Sequence, residues 1–150
     1  MLDQIQREKL AALLRSQHVL VLATVGSEWP TTTLQAFAET EDLRLILILR
    51  EESERYQNIL RNPRVTVQVD TRDRGLEGFR VARASIRGWA REVLRGSEEW
   101  ERFKTLFLAK NPFEEPFFAL PTLRMICIEP VAVSYADGAG PGAERFIATF

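Results

Sequence analysis

Leu45-Ile-Leu-Ile-Leu-Arg50-Glu-Glu-Ser53-Glu-Arg55-Tyr56-Gln-Asn58-Ile-Leu-Arg61-Asn62-Pro63 is the stretch on which the fold turns. Its first part belongs to an apolar run, Leu43 to Leu49, broken only by Arg44, and reads as a buried strand. Ser53 stands where a helix N-cap stands, and Pro63 closes the helix Ser53 to Asn62. Tyr56, Ile59 and Leu60 form its apolar stripe. The first turn of such a helix carries backbone N–H groups without acceptors and the positive end of the dipole. Arg50 and Arg55 flank it. An anion, most simply a phosphate, fits there. Alternatively, Ser53 only caps the helix and the arginines pair with Glu51, Glu52 and Glu54.

Short strands lie on both sides. Upstream, Asp3 and Gln6 form a capping box opening an amphipathic helix over 3–16. His18 to Val25 is a buried strand, and Thr31 to Ala38, after Pro30, is a second. Downstream, Val65 to Asp70 alternates as a fourth strand. Phe79 to Leu94 is a long fifth, with Gly88 marking a bulge. Ser97 caps a helix to Lys110 with Phe103, Leu106 and Phe107 inward. Pro112 to Pro121 is an aromatic loop. Met125 to Tyr135 is a sixth strand, with Pro130 arguing for an edge or bulge. Residues 136–150 read as a Gly/Pro loop and a tail. Consecutive strands with few helices favour a mainly β (α+β) domain over residues 1–150: a six-stranded antiparallel barrel with flanking helices.

The chain has 150 residues, enough to bury roughly 70% of its unfolded surface. The formal net charge of -1 excludes a generally basic nucleic-acid binder. One Cys (Cys127) and one His (His18) preclude an internal disulfide, leave no Cys/His zinc cluster, and supply no metal site. No G-x-S-x-G elbow, P-loop or Rossmann fingerprint occurs. Side chains for unaided covalent chemistry are scarce, so a borrowed cofactor or no chemistry is expected. The charge is unevenly spread: 11 of the 17 arginines lie between Arg50 and Arg95, against 7 acids. The opening helix lacks the apolar core of a signal peptide, and no apolar run is long enough to cross a bilayer. A soluble cytoplasmic protein, with no membrane partner, is expected.

Three motifs in order carry a resemblance: Leu22-Ala-Thr-Val25 followed by Pro30-Thr-Thr-Thr33, then Ser53-Glu-Arg55-Tyr-Gln-Asn58-Ile-Leu-Arg-Asn62-Pro63-Arg-Val65, then Arg83-Ala-Ser-Ile-Arg-Gly88-Trp-Ala-Arg-Glu-Val93. Together they resemble the pyridoxamine 5'-phosphate oxidase-like FMN-binding split-barrel family over roughly residues 2–135. The resemblance implies a homodimer of split barrels with FMN at the interface. It implies that Ser53 and Arg55, beside Arg50, contact the phosphate. Thr31, Thr32, Thr33, Leu34 and Gln35 would lie along the flavin ring, and Arg83 would supply a polar flavin contact.

The chain also departs from the oxidase. Leu49 stands where the oxidase has a Thr, and Thr33 where it has a phosphate-binding arginine. The tail offers Arg145 but no histidine, so true pyridoxamine phosphate oxidation is not expected. Trp89 could stack on a flavin or pack at an interface. His18 reads as a helix-end residue, and Cys127 as a small core residue. Arg83, Ser85 and Arg87 share one strand face. The leading expectation is an FMN-dependent oxidoreductase in which the flavin carries the chemistry and no protein acid or base is named. Haem or a deazaflavin could replace FMN. A barrel module that has lost its flavin, without enzymatic activity, is the alternative that Leu49 and Thr33 favour.

Overall fold

A computed structural model describes residues 1–150. The stretch 45–63 is built as read, except that the first strand residue is Leu45. Leu43 sits in the preceding turn with φ 68°, a left-handed conformation that is costly for Leu but seals a side chain only 1% exposed into the core. Eight strands form: β1 (Val19–Val25), β2 (Pro30–Ala36), β3 (Ala38–Glu39), β4 (Leu45–Arg50), β5 (Arg64–Asp70), β6 (Ala82–Val93), β7 (Leu123–Asp137) and β8 (Glu144–Thr149). Three helices flank them: α1 (Gln4–Ser16), α2 (Glu54–Arg61) and α3 (Glu98–Lys110). No helix is long and apolar enough to cross a membrane.

The sheet runs β2-β1-β5-β6-β7-β4-β3 with every pair antiparallel, and β8 adds to β7. The two ends of that path, β2 and β3, are separated only by Phe37, so the chain joins them and the sheet curls on itself. The expected split barrel is present, with eight strands rather than six. The extra two are the two-residue β3 and β8. The expected tail is a strand because Phe146 stacks on Tyr135 with ring centroids 4.8 Å apart.

β7 changes partners midway: residues 123–128 pair with β4 and residues 132–137 with β8. Pro130, which has no N–H to donate, marks the change. The β6–β7 register shifts between Arg87 and Gly88. A Cβ on Gly88 would lie 2.6 Å from the Glu129 carbonyl oxygen, so only glycine fits this bulge.

β4 explains the two cores. Leu45, Leu47 and Leu49 point into the barrel with Leu22, Val67, Ile86 and Ile128, joined by Leu10 and Leu14 of α1 and by Tyr56 and Ile59 of α2. Ile46 and Ile48 point outward onto Trp100, Phe103 and Phe107 of α3. A strand covered on both faces needs no polar alternation, hence the unbroken Leu-Ile-Leu-Ile-Leu. Leu106 and Leu60, expected inward, are exposed, because their helices bury a narrower stripe than the apolar pattern suggested. Lys110 fastens α3 to the barrel, donating to the Leu14 carbonyl at 2.8 Å and to Glu39 at 2.6 Å.

The Arg72 guanidinium grips Asp70 with two hydrogen bonds of 2.8 and 2.7 Å, holding its carboxyl at about 2, below the ordinary 3.8. A depressed carboxylate pKa stabilises the fold above the unfolded value and loses that contribution as pH falls from about 4 towards 2. Arg72 is 65% exposed, so solvent screening reduces the effect to about 1 kcal/mol. Asp70→Asn is expected to lower stability by that amount at neutral pH and to match the wild type near pH 2. Urea unfolding at the two pH values checks this.

Candidate functional site

Ser53 caps α2: its Oγ accepts from the Tyr56 N–H at 3.3 Å and donates to the Arg50 carbonyl at 2.7 Å. The turn is thereby fixed, and the Glu54 and Arg55 N–H groups lie ahead of any intrahelical acceptor. The two readings of the neighbouring arginines divide between them. Arg50 pairs with Glu52, as expected if the arginines are matched by the neighbouring glutamates. Arg55, partly buried, makes no hydrogen bond or ion pair, and its Nε is buried without a partner. Burial, and secondarily the charge of Arg50, lowers its guanidinium below the ordinary value, yet an arginine stays protonated.

Four buried side-chain polar atoms lack partners: Arg55 Nε, Thr33 Oγ1, Gln35 Oε1 and Asn111 Oδ1. The first lies in the first turn of α2, and the next two lie on β2. Pleating puts Thr31, Thr33 and Gln35 on the same face of β2. At one end of this face, Thr31 Oγ1 accepts from Asn58 Nδ2 of α2 at 3.1 Å, one helical turn after Arg55. At the other end, Gln35 Nε2 donates to the Ile48 carbonyl of β4 at 2.9 Å. Thr33 lies between. Orphaned polar atoms are rare in folded proteins because each costs about 1–3 kcal/mol. Arg55 in the first turn of α2 and the orphaned Thr33 and Gln35 atoms on β2, two elements tied by the Asn58–Thr31 hydrogen bond, make a candidate cradle for an anionic, hydrogen-bonding ligand.

The remaining expected site residues lie elsewhere. Thr32 and Leu34 project from the opposite face of β2, where both are exposed. Leu49 is 1% exposed and faces the barrel core. Arg83 lies on β6, three strands from β2 along the sheet, on the order of 14 Å at the usual strand spacing. Its guanidinium donates to the carbonyls of Val81 and Gly138, both at 3.0 Å, and stacks on Phe79.

The pyridoxamine 5'-phosphate oxidase family model matches residues 6–136. The chain belongs to the pyridoxamine 5'-phosphate oxidase family. Solved structures share its fold. A haem-binding protein from Mycobacterium smegmatis superposes with TM-score 0.86 at 15% identity, over 99% of this chain and 60% of that one. A putative pyridoxamine 5'-phosphate oxidase from Listeria innocua gives 0.63 at 21% identity, covering 86% and 96%. HutZ, the haem storage protein from Vibrio cholerae, gives 0.66 at 15% identity, covering 82% and 88%. None of the curated proteins matches the chain.

Within this member of the pyridoxamine 5'-phosphate oxidase family, Asn58 is the residue whose role sequence reasoning missed. Fully buried, it donates to Thr24 Oγ1 at 3.0 Å and to Thr31, and accepts from Arg61 at 2.5 Å. It pins α2, and so Arg55, to β1 and β2. Its place in the Ser53–Pro63 motif was the available signal. Burial pushes the Cys127 thiol up to about 12, so it is no nucleophile. His18 is exposed at the start of β1. An apolar groove of about 370 Å³, lined by Val25, Arg64, Arg87, Trp89 and Val131, lies on the outer sheet face.

Proposed function

We propose that the chain binds FMN, with the phosphate at the head of α2, and works as a dimeric flavin-dependent oxidoreductase. The observation that carries this reading is the partly buried Arg55, its Nε without a partner, together with the orphaned Thr33 and Gln35 atoms of β2. The residues fit the group. Arg55 and the first-turn N–H groups supply cationic donors for a phosphate, Thr33 adds a hydroxyl, and Gln35 offers an acceptor for a ring N–H. Arg55 takes up the charge that the oxidase's arginine at the Thr33 position would share. When bound, the flavin supplies hydride or single-electron transfer. This chain's part is to hold the phosphate, align the ring along β2 and keep one side dry.

A second copy completes the proposal. The outer face of β2, β1, β5 and β6 carries no helix and exposes Val19, Val25, Leu34 and Trp89. Trp89→Glu is therefore expected to shift the protein from dimer to monomer in light scattering. An unchanged mass would count against this face.

Haem is the second reading, favoured by the haem-binding and haem-storage proteins of like fold. His18, the one histidine, would then be the residue to hold the haem iron, since the Cys127 thiol is buried and protonated. Titration with FMN and haem separates the readings. A yellow protein absorbing at about 450 nm supports the flavin. A protein that takes up haem alone, with the haem spectrum lost in His18→Ala, supports the second reading. Uptake of neither supports a barrel module that has lost its cofactor.

A further inference from the structure

Three carboxylates, Glu51, Glu52 and Glu54, lie within four residues of Arg55. A loop of this composition ordinarily neutralises its own cations, yet Arg55 is left unpaired. Glu52 is taken by Arg50, and Glu54 is exposed and bonds to nothing. Glu51 is drawn away by a residue far along the chain. Arg124 of β7, whose Cα pairs with Leu49, holds Glu51 Oε2 with Nε at 3.2 Å and Nη2 at 2.7 Å. Its Nη1 reaches Glu92 Oε2 at 3.3 Å, and Glu92 also accepts from the Tyr56 hydroxyl. The backbone around Glu51 is fixed separately, by its N–H to the Thr122 carbonyl and by Gln57 to its own carbonyl. Without Arg124, Glu92 keeps Tyr56 as a partner, whereas the Glu51 side chain keeps none.

We propose that Arg124 is a positioning residue for the anion site: it withholds the Glu51 carboxylate from Arg55, leaving that guanidinium free for a phosphate. This rests on the reading of Arg55 as the phosphate ligand. A released Glu51 sits two residues before the Ser53 cap, within side-chain reach of the head of α2, where it would compete with the ligand for the same charge. The arrangement predicts an effect on phosphate-bearing ligands only, because neither the Arg124 nor the Glu51 side chain hydrogen-bonds to β2, along which a ring would lie.

The test titrates FMN and riboflavin into the full chain as wild type, Arg124→Gln, Glu51→Gln and the double variant, following flavin fluorescence and recording each melting temperature. Arg124→Gln is expected to weaken FMN about tenfold while leaving riboflavin within about twofold. The double variant should return to within about twofold of wild type, since no free carboxylate remains to compete. Glu51→Gln alone should bind FMN at least as tightly as wild type. Wild-type FMN affinity in Arg124→Gln, a double variant as weak as that single one, or a weakened Glu51→Gln overturns the proposal. A wild type that binds neither FMN nor inorganic phosphate overturns instead the reading on which it rests.

Discussion

Arg55→Ala is expected to weaken FMN binding by about 1.5–3 kcal/mol, the scale of a hydrogen bond to a charged group. Arg55 has no protein partner to lose, so the substitution removes ligand contacts without leaving a carboxylate stranded. It also relieves the folded protein of a desolvated cation beside Arg50, so the apo form should melt no lower than wild type. Weakened ligand binding with undiminished stability is the signature of a residue kept for a ligand. Calorimetric titration of FMN and thermal melting of the apo protein read the two halves. An Arg55→Ala protein that melts lower and binds FMN as before would place Arg55 in the fold instead of the site.

The second large effect lies one helical turn on. Asn58→Ala is expected to destabilise the fold by about 2–4 kcal/mol, because it leaves buried donors and acceptors unmatched and opens a small void. Thr24 Oγ1 and Thr31 Oγ1 keep each other at 2.8 Å but lose the amide, and Arg61 loses its acceptor. The helix loses its main polar tie to β1 and β2, so FMN affinity should fall with stability, unlike Arg55→Ala. Urea unfolding measures the first change. A cost below about 0.5 kcal/mol would show that packing of Tyr56 and Ile59 alone seats α2.

Much of this was legible in the residues. The Leu45–Leu49 run, the Ser53 cap, the Pro63 stop and the Gly88 bulge are local signals, and the structure realises each. β8 was not legible because its outer face remains solvent-exposed, with Ile147 85% accessible, while Phe146 and Ala148, which pack on the core, come from a segment opened by glycines and a proline. Spacing could not show that Arg83 lies three strands from β2, because that depends on strand order, whereas the two-residue period of β2 already turns Thr32 and Leu34 away from Thr33. Choosing between a paired and a free Arg55 required knowing where Glu51 goes, and its partner Arg124 is remote in sequence. The cradle itself is a coincidence of orphaned atoms from β2 and α2, which no single segment reveals.

The central claim is that the head of α2 holds a phosphate. The most direct measurement is side-by-side calorimetric titration of the wild-type protein with FMN and riboflavin, which differ only in that group. The account predicts that FMN binds at least about tenfold more tightly, the contribution of a charge-assisted contact to Arg55. Equal affinities for the two flavins would contradict it.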